Sequence, residues 1–166
     1  GQEEKAFNAF YKSTWSAETQ SAGFFWLARL ACRRGDYEEA LEYVEKSLIR
    51  NWHNMNGRTL KAALLRKLGA DASAFVAECL AIDPLSQGCL YEQAMAEGSE
   101  ELWLKTMRTE SHNFKELAQE YIEAGLYEDA IHILEACPKK DPICWYTLGY
   151  IYTQKEENKK ATEAFE

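Results

Sequence analysis

Three histidines, His53, His112 and His132, are the residues of this chain best suited to metal binding or to proton transfer at neutral pH. The residues around them show no spacing that resembles a metal site, where ligands recur at short fixed intervals. His132 lies between two isoleucines, His112 follows Ser111 at a predicted helix start, and His53 stands beside Trp52 in a predicted loop. We interpret all three as structural or surface histidines and predict no metal site.

Adjacent glutamates are the second feature that could carry chemistry, because paired carboxylates support acid–base catalysis when one pKa is raised. The pairs are Glu38-Glu39, Glu100-Glu101 and Glu156-Glu157. Each pair stands at a predicted helix start, where the helix dipole favours negative charge, so a structural role is sufficient. The chain contains no phosphate-binding glycine motif, no G-x-S-x-G and no H-E-x-x-H. We therefore predict no catalytic residue and no cofactor, and expect that the chain is not an enzyme.

Five cysteines, an odd number without a C-x-x-C pair, bear on redox chemistry and on the compartment. They are Cys32, Cys79, Cys89, Cys137 and Cys144. Most fall inside predicted helices, where a free thiol behaves as a small hydrophobic group, so we expect a reducing, cytoplasmic compartment. Cys137 and Cys144 flank a proline-containing loop, and the sequence leaves open whether they pair. We interpret the chain as a piece of a longer protein, so the missing signal peptide says nothing about the parent.

Composition and charge exclude several classes of protein. The 166 residues carry a net charge of −8, whereas nucleic-acid binding usually depends on an excess of basic residues. No apolar run approaches the roughly 20 residues that a membrane span needs. Only three prolines occur and turn signals are few, which argues against a β-sandwich. We expect a globular helical protein that binds neither nucleic acid nor membranes.

A repeated motif organises the chain. Near its end, Trp145, Leu148, Gly149 and Tyr152 fit the pattern W-x2-L-G-x2-Y, and the later A-x3-F spacing is filled by Ala161 and Phe165. Two further segments, GDYEEALEYVEKSL from Gly35 and GLYEDAIHILEAC from Gly125, are copies of one motif. These residues resemble the tetratricopeptide repeat (TPR) family. The resemblance implies an all-α fold, a right-handed α-α superhelix of about five helical pairs that is incomplete at both ends.

The repeat register predicts one helical domain over residues 1–166. It contains a half repeat at 3–20, repeats near 21–54, 55–84, 85–110 and 111–142, and a truncated repeat at 143–166. The 3.6-residue periodicity and the glycine turns at Gly35, Gly69, Gly98 and Gly125 place the helices along these repeats. They are predicted at 3–14, 21–34, 37–50, 55–68, 72–82, 87–97, 100–108, 112–124, 127–136, 143–154 and 157–166.

A looser resemblance covers the whole chain. The segments Phe24–Ala70 and Asn113–Cys137 look like parts of large bacterial proteins of unknown function. In those proteins a β-sandwich region related to sugar-mutarotase-like modules precedes a tetratricopeptide array. The resemblance implies that this chain is a piece of such an array, and it implies no activity for the chain itself.

The family resemblance also implies a binding face, because the first helix of each repeat lines the concave side of the array. The candidates at these positions are Phe25, Trp26, Arg29, Arg33, Thr59, Ala63, Arg66, Lys67, Tyr146, Tyr150 and Gln154. Tyrosine, tryptophan and arginine dominate binding hot spots, and the basic residues suit an acidic peptide. We predict a protein-interaction scaffold that binds a peptide or a partner domain, including another domain of the parent chain.

Three alternatives remain open at this point. The array could be an intramolecular spacer or brace for a carbohydrate-active or sugar-binding domain of the parent chain, which an acidic concave face without a large apolar patch would favour. It could also support or complete a carbohydrate-active site of the parent chain, in which case aromatic residues such as Trp26 and Trp103 should face solvent beside carboxylates. Nucleic-acid binding would instead need Arg29, Arg33, Arg58 and Arg66 to form a continuous stripe.

Self-association is a further expectation, because both ends of the chain interrupt a repeat. Helix faces that normally meet a neighbouring repeat should therefore be open. The apolar residues expected to be exposed there are Phe7, Phe10, Tyr11, Tyr152 and Phe165.

Overall fold

The computed structural model describes residues 1–166 and contains eleven helices and no strand. The helices are α1 (Gln2–Ser13), α2 (Gln20–Arg33), α3 (Tyr37–Arg50), α4 (Met55–Lys67), α5 (Ser73–Ile82), α6 (Gln87–Glu97), α7 (Glu101–Met107), α8 (Ser111–Glu123), α9 (Tyr127–Glu135), α10 (Pro142–Gln154) and α11 (Asn158–Phe165). Every end lies within one residue of its predicted position. The prediction of an all-α chain of helical pairs is confirmed.

The chain divides into two compact units, which are described separately. Unit 1 spans Gly1–Thr106, and in it α1 packs on α2, α2 on α3, α3 on α4, and α4, α5 and α6 on one another. Unit 2 spans Met107–Glu166, and in it α8 pairs with α9 and α10 pairs with α11, while α10 also contacts α8 and α9. The single domain over 1–166 and its repeat boundaries stay a prediction.

The glycine turns form as the repeat pattern predicts. Gly35 and Gly125 have φ angles of 83° and 75°, in the left-handed region that only glycine adopts without strain. In each turn the next residue donates its backbone N–H to a carbonyl five residues earlier, from Asp36 to Ala31 at 3.0 Å and from Leu126 to Tyr121 at 2.8 Å. This 6→1 hydrogen bond is characteristic of the Schellman motif, and it satisfies a carbonyl that would otherwise be free at the helix end. The two motif copies thus share one turn geometry.

The motif positions form the cores of the helical pairs. Their fully or nearly fully buried members are Leu27, Ala28, Ala31, Ala40, Val44 and Ser47 in unit 1, and Phe114, Leu117, Ala118, Tyr121, Ala130 and Leu134 in unit 2. The buried hydroxyl of Ser47 donates to the carbonyl of Ser21 at 2.8 Å, so its burial leaves no unsatisfied donor. Small residues at these positions let paired helices approach closely, which is why the pattern specifies the pairs.

No helix combines the length and the hydropathy that are needed to cross a membrane.

Candidate protein-binding face

The first predicted binding helix, α2, turns much of its candidate surface inward. Phe25 and Arg29 are buried, with 9% and 6% of their surfaces exposed. The guanidinium of Arg29 lies over the rings of Phe25 and Trp26, 4.4 Å and 4.8 Å from their centroids. Trp26 also stacks on Phe10 of α1 at 5.6 Å between ring centroids. The Arg29 guanidinium therefore interacts with aromatic rings of its own helix, while Arg33 is exposed and Trp26 is 38% exposed.

The second predicted binding helix, α4, is covered by α6 on its candidate side. Thr59 is 5% exposed and meets the backbone of α6 so closely that a Cβ added to Gly88 would lie 2.4 Å from its hydroxyl oxygen. Ala63 is fully buried. Arg66 donates two hydrogen bonds to the carboxylate of Glu92, at 2.8 Å and 3.0 Å, and only 1% of the Glu92 side chain is exposed. This side of α4 packs against α6 instead of facing a ligand, and half-buried Lys67 lies at the end of α4.

The last predicted binding helix, α10, presents its candidates to solvent. Tyr146 and Tyr150 are 66% and 41% exposed, and Gln154 is exposed as well. Ile143 belongs to the same row, since it lies three residues before Tyr146 and seven before Tyr150, and it is 61% exposed. We call these four residues the α10 stripe. Ile143 was missed from the sequence, although its helical spacing would have identified it.

Helix α8 supplies the polar side of the same face. Asp141 joins the two helices, because its carboxylate accepts hydrogen bonds from Ser111 and Lys115 of α8 at 2.8 Å and 2.5 Å. The register of the α10 stripe, applied to α8, places the exposed His112 and Gln119 at equivalent positions. His112 pairs with Glu116 at 3.0 Å. These α8 residues are not among the predicted candidates, because the binding positions were carried over only to α2, α4 and α10.

Asp141 also caps α10, since its other oxygen accepts the backbone N–H of Cys144 at 2.9 Å. Hydrogen bonds from Lys115, the Cys144 backbone and Ser111 hold the pKa of Asp141 well below its ordinary value of 3.8. A lowered pKa means that the ionised carboxylate stabilises the fold above the ordinary value. That contribution is lost as the pH falls through the lowered pKa.

Asp141→Asn should therefore lower the melting temperature of the chain by several degrees at pH 7, because the ion pair is lost and the cap is weakened. The difference from the unchanged protein should shrink as the pH falls below 4, which thermal unfolding over a pH series would measure. Glu110→Gln is the matched control, since Glu110 precedes α8 without a side-chain cap hydrogen bond. A pH-independent difference would show that charge at Asp141 contributes nothing.

The predicted exposure of the chain-end aromatics holds only in part. Tyr11 and Phe165 are exposed, and Phe7 and Phe10 are half-buried. The prediction for Tyr152 is wrong, since it is 8% exposed and its hydroxyl donates to Glu135 at 3.0 Å. Burial and the neighbouring carboxylate raise the pKa of Tyr152 to about 12, so it stays protonated.

The features expected for a carbohydrate-active site and for nucleic-acid binding form only in part. Trp26 is 38% exposed. Trp103 is 1% exposed and packs edge-on against Tyr91 at 5.0 Å, so it offers no platform for a sugar ring. Arg58 is fully buried, and with Arg29 also buried the four arginines form no continuous stripe for a nucleic-acid backbone.

All five cysteines are buried free thiols, so Cys137 and Cys144 are not joined in this structure. No group of three or more histidine, cysteine or carboxylate side chains is arranged to hold a metal ion.

No family model matches the chain. It is similar to a solved structure described as MamA 41-end from Desulfovibrio magneticus RS-1, at 16% identity over 99% of this chain and 82% of that one, with a TM-score of 0.41. A MamA RS-1 ArsTM double mutant is 18% identical over 87% and 90% of the two chains, with a TM-score of 0.44. A crystal structure of MamA is 13% identical over 98% and 84%, with a TM-score of 0.38.

Proposed function

We propose that this chain is a protein-interaction scaffold that binds a peptide or a partner domain through the face formed by α8 and α10 of unit 2. The observation that carries the proposal is the α10 stripe, in which one isoleucine and two tyrosines stand exposed in a row beside Gln154. Tyrosine rings provide large contact areas at a small cost in side-chain entropy, which makes them frequent hot-spot residues. Gln119 and Gln154 would add hydrogen bonds to a bound backbone.

The chemistry of this face favours an apolar partner segment over a strongly acidic one. Of the four cations from which an acidic peptide was predicted, Arg29 is buried and Arg66 is paired with Glu92. Arg33 and Lys67 lie in unit 1, at the end of α2 and the end of α4. None of the four predicted cations therefore belongs to unit 2, where the proposed face lies.

The alternative is the brace, in which the occupant of this face is another domain of a parent chain, including a carbohydrate-active or sugar-binding domain. The burial of Trp103 argues against a different role, in which the array itself would complete a carbohydrate-active site. A bracing contact through the α10 stripe remains compatible with the exposed tyrosines.

Self-association is proposed separately, through the end of unit 2. Trp145 and Phe165 are 47% and 52% exposed, and together with Tyr146 they line a cleft between α10 and α11. In a repeat array a surface of this type is covered by the next helical pair, so a second copy of the chain would bury apolar area there.

Binding is tested with the protein immobilised and exposed to lysate from its own source, with retained proteins identified by mass spectrometry. Tyr146→Ala/Tyr150→Ala should reduce retention of a specific partner at least about tenfold, because each tyrosine is expected to contribute at hot-spot level. Leu85→Ala/Leu102→Ala is the matched control, since it removes two exposed apolar side chains of unit 1, which are 72% and 55% exposed. Equal retention by both double variants would contradict the proposal.

A further inference from the structure

The face formed by α8 and α10 has an apolar side and an acidic side. The apolar side is the α10 stripe, and α10 carries no charged side chain along its length. On α8 the residues His112, Glu116, Gln119 and Glu123 recur at a spacing that places them on one side of the helix, and the first three are exposed. We call these four residues the α8 row. A partner that covers the whole face contacts both the stripe and this row.

The α8 row and the α10 stripe begin close together. Ser111 and Lys115 of α8 both donate to the carboxylate of Asp141, the residue that precedes α10. Each of these two donors is followed directly by a member of the α8 row, and Asp141 is followed two residues later by the first member of the stripe. The contact at Asp141 therefore joins the two elements where both sets of residues start.

The charge available on this face is negative. Helix α8 carries three glutamates and a single lysine, and that lysine, Lys115, is paired with Asp141. Lys155, which follows the stripe, is likewise held by two glutamates. The side chain of Glu116 is 67% exposed, and one of its oxygens lies 3.0 Å from Nε2 of His112, one turn earlier. A partner cation can therefore approach Glu116 without displacing a buried contact.

The shape of the face suits a helical partner. The stripe spans eleven residues, which at 1.5 Å per residue is about 16 Å, or about three helical turns. Helices α8 and α10 offer no sheet edge, so an extended segment could obtain hydrogen bonds for its backbone only from side chains such as Gln119 and Gln154. A helix satisfies its own backbone and presents an apolar stripe with a polar row beside it.

We propose, building on the function proposed for this face, that its partner is a cationic amphipathic helix. The apolar side of that helix packs on the α10 stripe, and lysine or arginine residues along one edge lie against the α8 row. Complementary charge at the rim of an interface steers encounter and fixes register. An acidic segment would instead meet carboxylates of its own sign at Glu116 and Glu123.

Two synthetic helical peptides test the sign of the charge. Both have the same leucine face, and they carry either lysine or glutamate at every polar position. Binding is measured by fluorescence anisotropy at constant salt, because salt screens exposed charges. The lysine peptide should bind at least about tenfold more tightly than the glutamate peptide. Tyr146→Ala/Tyr150→Ala should weaken binding of the lysine peptide at least about fivefold, because it removes the apolar contact.

Charge reversal at one position separates the α8 row from the general acidity of a chain with a net charge of −8. Glu116→Lys should weaken binding of the lysine peptide about tenfold and strengthen binding of the glutamate peptide. Glu42→Lys is the matched control, since Glu42 of α3 is 72% exposed and pairs with Lys46 one turn away in unit 1. It changes the net charge equally and should leave both affinities within about twofold of the unchanged protein.

Equal binding of the two peptides, or equal effects of Glu116→Lys and Glu42→Lys, would overturn the cationic partner. If the tyrosine double variant still weakens binding in that case, the face itself stands and only the charge assigned to its partner is wrong. Unchanged binding in the tyrosine double variant would contradict the proposed function, and the cationic helix with it. A dimer of the chain alone, seen by sedimentation and abolished by the tyrosine substitutions, would show that a second copy covers the face and would also overturn the proposal.

Discussion

Gly88→Ala should destabilise unit 1 by about 2 kcal/mol, although alanine is the better helix former by about 1 kcal/mol. The new Cβ would lie 2.4 Å from Oγ1 and 2.5 Å from Cγ2 of Thr59, closer than atoms in contact can approach. Thr59 is buried and branched at Cβ, so it cannot rotate away freely. Helices α4 and α6 must therefore separate, which breaks contacts along their whole interface.

Urea unfolding of unchanged protein, Gly88→Ala, Thr59→Ala and the double variant would measure this effect. The double variant should recover most of the stability lost in Gly88→Ala, since Thr59→Ala removes the two nearest atoms. Additive losses in the double variant would mean that α4 and α6 do not pack at this point. The side of α4 that carries Thr59 and Arg66 would then be open to a ligand.

Arg58→Ala should cost about 3 kcal/mol of folding free energy, because it leaves a cavity and removes a fully buried, hydrogen-bonded cation. The guanidinium holds the Trp52 loop, the Cys79 sulfur and the Glu78 carboxylate at once. Glu78 is itself 49% exposed on its side chain, so losing its partner adds little. Most of the cost comes from the cavity and from the unpaired carbonyl of Trp52.

Chemical denaturation followed by tryptophan fluorescence measures this loss. The signal includes the Trp52 ring, whose centroid lies 3.8 Å from the guanidinium carbon of Arg58. Arg33→Ala is the matched control, since Arg33 is exposed at the end of α2 and its removal should change stability by less than about 0.5 kcal/mol. Similar stabilities for Arg58→Ala and Arg33→Ala would show that the buried contacts of Arg58 contribute nothing to the stability of the fold.

The helices were predictable because their signals are local. The turns at Gly35 and Gly125 need a positive φ, and the apolar spacing of the motif determines which face of each helix is buried. Even Leu85–Thr109, which lacks the motif, forms the helices α6 and α7 that its 3.6-residue periodicity predicts.

The binding face was only partly predictable, because exposure depends on what packs against each helix. Nothing local shows that Gly88 and Glu92 would close α6 over α4, since α6 belongs to the repeat without the signature. The burial of Arg29 and Phe25 likewise depends on what packs against α2, although the contact between them is a local i, i+4 pair. Ile143, by contrast, could have been predicted from the helical spacing that identified Tyr146 and Tyr150.

Hydroxyl-radical footprinting of the protein, alone and with a captured partner, tests most directly whether unit 2 carries the binding face. We expect the oxidation of Tyr146 and Tyr150 to fall sharply when the partner is bound, because both rings are exposed in the free chain. Trp26 and Trp52, also partly exposed but in unit 1, should be oxidised at unchanged rates. Protection of Trp26 with no change at the two tyrosines would contradict the account and would place the partner on α2.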